Sequence, residues 1–316
     1  MGSRSTFTKI FPPLHGLFIS VAQNGDMRCD LHVHSTASGM CDTPLLNLIC
    51  RESYNQPSDV YARCKQMGMS IVTLTDHDSI HAAECLRRYA DFFVSEEVTC
   101  RMPSGTLVHI GVYNLADRDH VEIQNRRNNF VSLLMYLTEQ KLFFSVNHMF
   151  SGLTGKRDAE DFHWFASYAP AFEVRNGQMW RRANRQAQRL AKRLDKIGIG
   201  GSDSHTIAGV GLTYTEVKGA RTVSEFFAAL RARRGRVKGS EGTYSKLTAD
   251  IYRIGAAMFQ EKPATLAMLP LSVLVPVFTA AHWVNEVWFC KKWQKHFENA
   301  EAPRMLWDLA AGAERV

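Results

Sequence analysis

The seven cysteines, Cys29, Cys41, Cys50, Cys64, Cys85, Cys100 and Cys290, are odd in number and include no Cys-x-x-Cys pair. That spacing argues against both a disulfide framework and a thiolate zinc site. The first residues lack the basic, then apolar, then small-residue pattern of a secretory signal. A reducing compartment, the cytoplasm, is therefore the expectation. No internal repeat or low-complexity tract occurs, and 10 Pro with 21 Gly in 316 residues is ordinary usage, so a fibrous chain is ruled out. A hydrophobic share of 45% is too high for wholesale disorder, because such a chain can offset the entropy lost on ordering. Charge is mixed: 38 Lys+Arg against 31 Asp+Glu leaves +7. That excess suits an anionic partner without choosing among phosphate ester, nucleic acid and lipid headgroup.

What is present from Met27 to about Ser240 is an alternation of short β-rich runs with helical stretches. The runs are Met27–His32, Ile71–Thr75, Phe92–Thr99, Leu107–Tyr113, Leu142–Asn147, Ala171–Val174, Ile197–Ser202 and Gly211–Val217. Helices are expected from Pro57 to Gly68, from about Asp119 to Glu139 and from Arg181 to Lys196. Strands separated by crossover helices predict a parallel α/β architecture. The chain divides into an N-terminal extension (1–26), an α/β domain (27–240) and a C-terminal helical, apolar segment (241–316).

The chemistry-bearing residues sit where those runs end. Asp30-Leu31-His32-Val33-His34-Ser35 places two imidazoles on one face of an extended segment, where they can share an ion. Thr75-Asp76-His77-Asp78, Glu96-Glu97, Asn147-His148, Glu173 and Ser202-Asp203-Ser204-His205 follow at other ends. Each alone is weak, and a single strand histidine is more often a hydrogen-bonded core residue. Together they need a common reason, since buried charges are paired or bind metal. Imidazole and carboxylate without thiolate suit Zn, Mn or Fe.

These motifs, with Glu173-Val174-Arg175-Asn176-Gly177, match in order those of the polymerase and histidinol phosphatase (PHP) superfamily, which the chain resembles over roughly Arg28–Gly239. The resemblance implies a distorted (β/α)7 barrel of the PHP type, here with a C-terminal helical, apolar extension, carrying two or three divalent metals. It implies His32, His34, Glu97 and Asp203 on one ion, Glu97 bridging to a second with His148 and Glu173, and His77 with His205 on a third. The acid the family supplies soon after the His-x-His pair is displaced here to Asp42, which is either a ligand of the third ion or a cap for a helix beginning near Pro44. His109 is expected to support the site or the core rather than to ligate.

Such a site turns a bound water into hydroxide and clamps the attacking and leaving oxygens of a displacement at phosphorus. The expected activity is hydrolysis of a phosphomonoester or small phosphodiester, the substrate a small phosphorylated molecule or short nucleotide. Lys156, Arg157 and Arg175 are the candidate phosphate clamps, with simple surface placement as the alternative. Asp76 is expected to orient His77 through its second nitrogen. The alternatives are a metallohydrolase of amide, carbamate or ester bonds and a non-catalytic metal-binding scaffold. Arg181, Arg185, Arg189 and Arg193 share one helix face, read as solvated. No basic run is interleaved with aromatics, so no stable nucleic-acid complex is expected. The 23 positions Pro263–Asn285 carry no charged residue, counting His282 as neutral. With Lys291, Lys292 and Lys295 beyond, they are a candidate contact for a membrane or a protein partner, and the enzyme is expected in the cytoplasm or peripheral to a membrane.

Overall fold

The computed structural model describes residues 25–299. Most of the expected N-terminal extension, and 300–316 of the C-terminal segment, lie outside them.

Two sheets carry the fold. β1 (Asp26–Cys29) pairs antiparallel with β7 (Thr213–Lys218), which pairs antiparallel with β8 (Gly235–Gly239). The larger sheet runs β2 (Ser95–Arg101), β3 (Leu107–Tyr113), β4 (Phe143–Val146), β5 (Ala171–Asn176) and β6 (Ile197–Gly201). It is parallel only across β4, β5 and β6; β2–β3 and β3–β4 are antiparallel. The expected all-parallel arrangement is thus met in one half. The cause lies in the connections: Met102-Pro103-Ser104-Gly105-Thr106 is a turn too short for a crossover, so β2 and β3 form a hairpin. Ile71–Thr75, expected as a strand, makes only an isolated bridge through Val72 to Phe92, while Val33 bridges Ser204 and His77 bridges Glu97.

Helices α1 (Pro57–Gln66), α2 (Asp117–Arg126), α3 (Phe130–Glu139), α4 (Ala159–Tyr168), α5 (Arg181–Arg193), α6 (Val223–Arg231), α7 (Tyr244–Glu261) and α8 (Val275–Asn299) surround these sheets. The single helix expected over Asp119–Glu139 is two, because Asn129 turns extended and its side chain accepts from Ser132 N–H, starting α3 afresh. On α5 Ala183, Ala187, Leu190 and Ala191 face the core while Arg181, Arg185, Arg189 and Arg193 stay exposed, the solvated stripe expected. The Arg231–Lys238 run hides β8. There Lys238 (2.6 Å) on the edge strand and Arg28 (2.8 Å) neutralise the buried Glu216.

One apolar core fills the space between the larger sheet and its helices, with Val98, Ile110, Leu133, Val146, Phe165 and Phe172 fully buried. Cys290 and Trp293 of α8 belong to it. Contacts therefore cross the expected division at Ser240, and α7 adds more: Asp250 accepts from Thr206 Oγ1 at 2.8 Å and Lys246 Nζ donates to Gly177 O at 2.5 Å.

Candidate metal centre

The residues after β1 are held by the end of β6. Asp30, buried, accepts from Ser202 N–H (2.7 Å), Gly211 N–H (2.8 Å) and His32 N–H (3.3 Å), and burial pushes its carboxyl up to about 6 against those bonds. This lock requires close approach: a Cβ on Gly201 would stand 2.3 Å from His32 N. His148 (φ 26°) and Asp203 (φ 50°) adopt left-handed backbone directly after β4 and β6. Such conformations cost on the order of 1–3 kcal/mol for non-glycine residues and persist only where surroundings enforce them.

His32 Nε2 and His34 Nε2 approach to 3.1 Å, and both face Glu97 (3.2 and 3.5 Å) and Asp203 Oδ1 (3.4 and 3.2 Å). Glu97 Oε1 also meets His148 Nε2 at 3.2 Å, while its Oε2 meets His77 Nδ1 at 3.3 Å and His109 Nδ1 at 3.4 Å. His205 stacks on His34 with ring centroids 4.4 Å apart, and donor atoms of His34, His77 and His205 lie within 4.8 Å of one another. The structure thus gathers His32, His34, His77, Glu97, His148, Asp203 and His205 into overlapping sets of a size that suits a multinuclear metal site.

Four expectations change. Asp42 is exposed and belongs to none of the donor sets among the described residues. Met40 bridges Arg51 and Glu52 N–H donates to Gly39 O, so residues 41–50 loop outward and return at their base. That return delivers Glu52 instead, with Oε1 3.2 Å from His77 Nε2 and 3.5 Å from His205 Nε2. Glu52 is the next acid in the chain after Asp42, the one signal that could have pointed to it. Glu173 stands behind the donor atoms rather than among them: it meets His32 Nδ1 at 2.9 Å and accepts from His148 N–H and Asn176 Nδ2, each at 2.9 Å. Asn176 Nδ2 also donates to Asp203 (2.9 Å), so one amide aligns two carboxylates. Asp76 does not reach His77. It accepts from Ser35 N–H, Ser35 Oγ and Ser38 Oγ, and Ser38 Oγ lies 3.0 Å from His34 Nδ1. His109, expected only in support, instead presents a ring nitrogen to Glu97 within a donor set with His77.

The clamp candidates do not converge on the cluster. Arg157 is buried and donates to Leu107 O and Thr154 Oγ1, both at 2.6 Å, its pKa lowered to about 10 by burial. Arg175 donates to Gly239 O at 2.7 Å, beyond a bulge between Glu173 and Arg175 that turns it from the face expected. Lys156 is exposed.

The electrostatics are those of donors facing a common centre. Burial opposes the charge on His77, yet Glu52 and Glu97 hold its pKa up near 10. Burial likewise opposes charge on His32 and His148, and the surrounding carboxylates raise both. His34 falls to about 3, through burial and then repulsion from His205 and His77. Glu97 and Asp203 are held well below the usual carboxylate range against burial, with His32 the largest charge acting on each. His77 Nδ1, Glu97 Oε2, His109 Nδ1 and His205 Nε2 are buried atoms without hydrogen-bond partners. Such atoms are expensive to leave unmatched, and here they point at each other's lone pairs, the pattern a cation resolves. The donor set fits divalent metal; it does not distinguish Zn, Mn and Fe.

Comparison with known proteins agrees. A family model described as PHP-associated matches residues 181–234, the stretch that contains Asp203 and His205. No curated protein matches the chain. Among solved structures, it is similar to a two-domain protein from Bacteroides vulgatus ATCC 8482 containing a predicted PHP-like metal-dependent phosphoesterase. That likeness has 18% identity and a TM-score of 0.54, over 68% of this chain and 65% of the other, so about two thirds of that protein's length is spanned. PsfC from Pseudomonas syringae PB-5123 follows at 15% identity and TM-score 0.49, covering 75% of this chain and 99% of that one. A protein from Bifidobacterium adolescentis, provisionally a metal-dependent phosphoesterase, shares 12% identity at TM-score 0.41, over 65% and 96%. At these identities the Bacteroides likeness establishes the fold: mixed α/β, matching PHP-domain structures, with a long C-terminal helix.

Proposed function

We propose that this chain, of the PHP superfamily, is a metal-dependent hydrolase of phosphate esters whose core closes as a distorted (β/α)7 barrel around the cluster. The observation that carries the reading is the set of buried, mutually facing and otherwise unpartnered donors on Glu97, His77, His109 and His205. His32, His34, Glu97 and Asp203 would hold one ion; Glu97, His148 and His109 a second; His77, His205 and Glu52 a third. Bound there, two or three divalent ions supply Lewis acidity toward phosphoryl oxygens and lower the pKa of water near neutral pH. The chain's own contribution is orientation. Glu173 fixes the His32 tautomer by occupying Nδ1, and the Asp76–Ser38 pair fixes that of His34, leaving each Nε2 free for metal. His77, Glu52, His205 and His109 form the partly exposed rim through which a substrate enters.

A second reading, hydrolysis of an amide, carbamate or carboxyl ester, is favoured by one fact: Lys156, Arg157 and Arg175 do not line the mouth. Metal analysis of the purified chain, followed by aryl phosphomonoesters, phosphodiesters, carboxyl esters and carbamates, decides. Bound divalent metal with phosphate-ester turnover that a chelator abolishes is the expected result. Turnover of carbonyl substrates alone selects the second reading, and metal binding without any turnover selects a scaffold.

A further inference from the structure

A long apolar surface lies next to the rim. After Lys262 the chain forms a 3-10 segment, Pro263–Leu274, and enters α8. Between Lys262 and Glu286 there is no Asp, Glu, Lys or Arg, yet the segment is mostly exposed: Val273 73%, Phe278 62%, Val277 61% and Leu271 54%. In 263–274 exposed apolar residues (Leu266, Leu269, Leu271, Val273, Leu274) occupy every side of the 3-10 segment, and in α8 Val277, Ala281, Val284 and Trp288 continue them along one face. Such a surface suits fluid hydrocarbon, whereas a protein partner would have to wrap it.

Charge is arranged for an anionic plane. Lys291, Lys292 and Lys295 are exposed at the far end, and Arg182 and Arg185 stand on α5, which packs against α8. Trp283 and Trp288 are exposed between apolar and basic zones, where indoles favour the headgroup level. The segment does not cross. Glu286 is buried and accepts from Gly152 N–H at 2.8 Å, and Cys290 and Trp293 lie in the core, so the second half of α8 is bound to the folded body. Pro263, Pro270 and Pro276 punctuate the stretch before it, each removing a backbone donor and leaving an acceptor that interfacial water can satisfy.

The apolar surface and the rim share one edge. Arg51, beside Glu52, pairs with Glu261 at 2.7 Å, and Lys262 Nζ reaches Leu48 O at 3.4 Å. Leu45 (79% exposed) and Leu48 (73%) on the outward loop extend the apolar face toward Glu52. A cavity of about 350 Å³ beside the rim is lined by His205 and by Arg253, Ile254 and Ala257 of α7.

We propose that 263–284 and the Leu45–Leu48 loop insert into an anionic lipid surface and present the metal centre's rim to the phosphate ester of a membrane lipid. The substrate class rests on the phosphoesterase reading; the docking does not. The test uses the full chain with vesicles of phosphatidylcholine and phosphatidylserine, alone or containing phosphatidic acid. Cosedimentation is expected, and Val273→Glu with Phe278→Glu should weaken it about tenfold or more. Both positions are exposed, so hydrolysis of a soluble aryl phosphate should persist in that variant. Phosphate release from phosphatidic acid should fall with vesicle binding. A full chain that stays in the supernatant overturns the docking, as does a dimer that the double substitution dissociates without any vesicle binding. Soluble turnover with vesicle binding but no release from phosphatidic acid overturns the lipid substrate alone. Loss of both activities in metal-loaded protein is the failure of the phosphoesterase reading, and cosedimentation still decides the docking.

Discussion

At the residue scale the two acids Asp42 and Glu52 make the sharpest contrast. Glu52 faces His77 and His205; Asp42 points outward with its loop. Glu52→Gln should therefore remove or weaken one ion, while Asp42→Asn leaves the metal count of the wild-type chain; mass spectrometric metal analysis reads both. Equal loss in the two variants would restore Asp42 as a ligand. Glu173 acts through His32, so Glu173→Gln should lower metal affinity or activity by about 10–100-fold rather than abolish it, the size usual for a partner of a ligating histidine. Protonation gives a third expectation. In the metal-free fold His32, His148 and His205 all hold their protons more tightly than a free imidazole, and His77, held near 10, keeps its proton at neutral pH. Metal must displace them, so binding should release protons and tighten as pH rises. Calorimetry in two buffers of different ionisation enthalpy measures the release, and none at pH 7.5 would contradict it. For the metal-free chain the sign is opposite. The raised His77 stabilises fully below about 6.5 and loses its effect as pH climbs through its folded value; the depressed Glu52 stabilises above about 4.3 and loses it on acidification.

At the scale of elements, what was legible followed from local pattern. Leu107–Tyr113 alternates and ends at turn residues, and it is β3 as read; the motifs at strand ends did mark side chains, His32, His34, Glu97 and Asp203, whose donor atoms the fold brings together. What failed depended on contacts distant in sequence. No strand is read over 235–239, and it forms there as β8 because β7 supplies both its pairing partner and Glu216 for Lys238. Arg175 looks two residues from Glu173 and hence co-facial until a bulge shifts the register. Glu52 becomes visible only when its loop closes at Gly39. The approach of β6 to the His-x-His segment is likewise a tertiary fact with a direct test. Gly201→Ala places a methyl 2.3 Å from His32 N, where backbone must move. Overpacking of that kind costs about 1–3 kcal/mol. The expected outcome is a lower denaturation midpoint together with weaker metal binding, because the displaced atom belongs to a residue of the donor cluster. A change in stability with unaltered metal affinity would separate the lock from the site.

At the scale of the whole molecule, the segment after Ser240 has two roles that sequence alone had merged. An uncharged run with a basic flank reads as a single tail dispensable to the α/β core, and on that reading a chain ending at Ser240 should be soluble and active. The structure divides it. Residues 263–284 are mostly exposed, whereas α7 holds the loop after His205 through Asp250 and Thr206, and α8 returns Trp293 against Phe162 with ring centroids 4.7 Å apart. Glu286 meanwhile accepts from Gly152, four residues after His148. Removing everything after Ser240 therefore uncovers part of the main core and releases the loops that carry His148 and His205. Trp293→Ala alone should cost about 3–5 kcal/mol, the usual range for emptying a buried tryptophan site. Thermal unfolding of three proteins makes the measurement: the full chain, Trp293→Ala, and the chain ending at Ser240. The point variant should melt below the full chain, and the shortened chain should melt lower still or fail to fold, with metal content falling in parallel. Should the shortened chain match the full one in melting temperature and metal content, α7 and α8 would be appendages, and the support they give His148 and His205 would have no energetic weight.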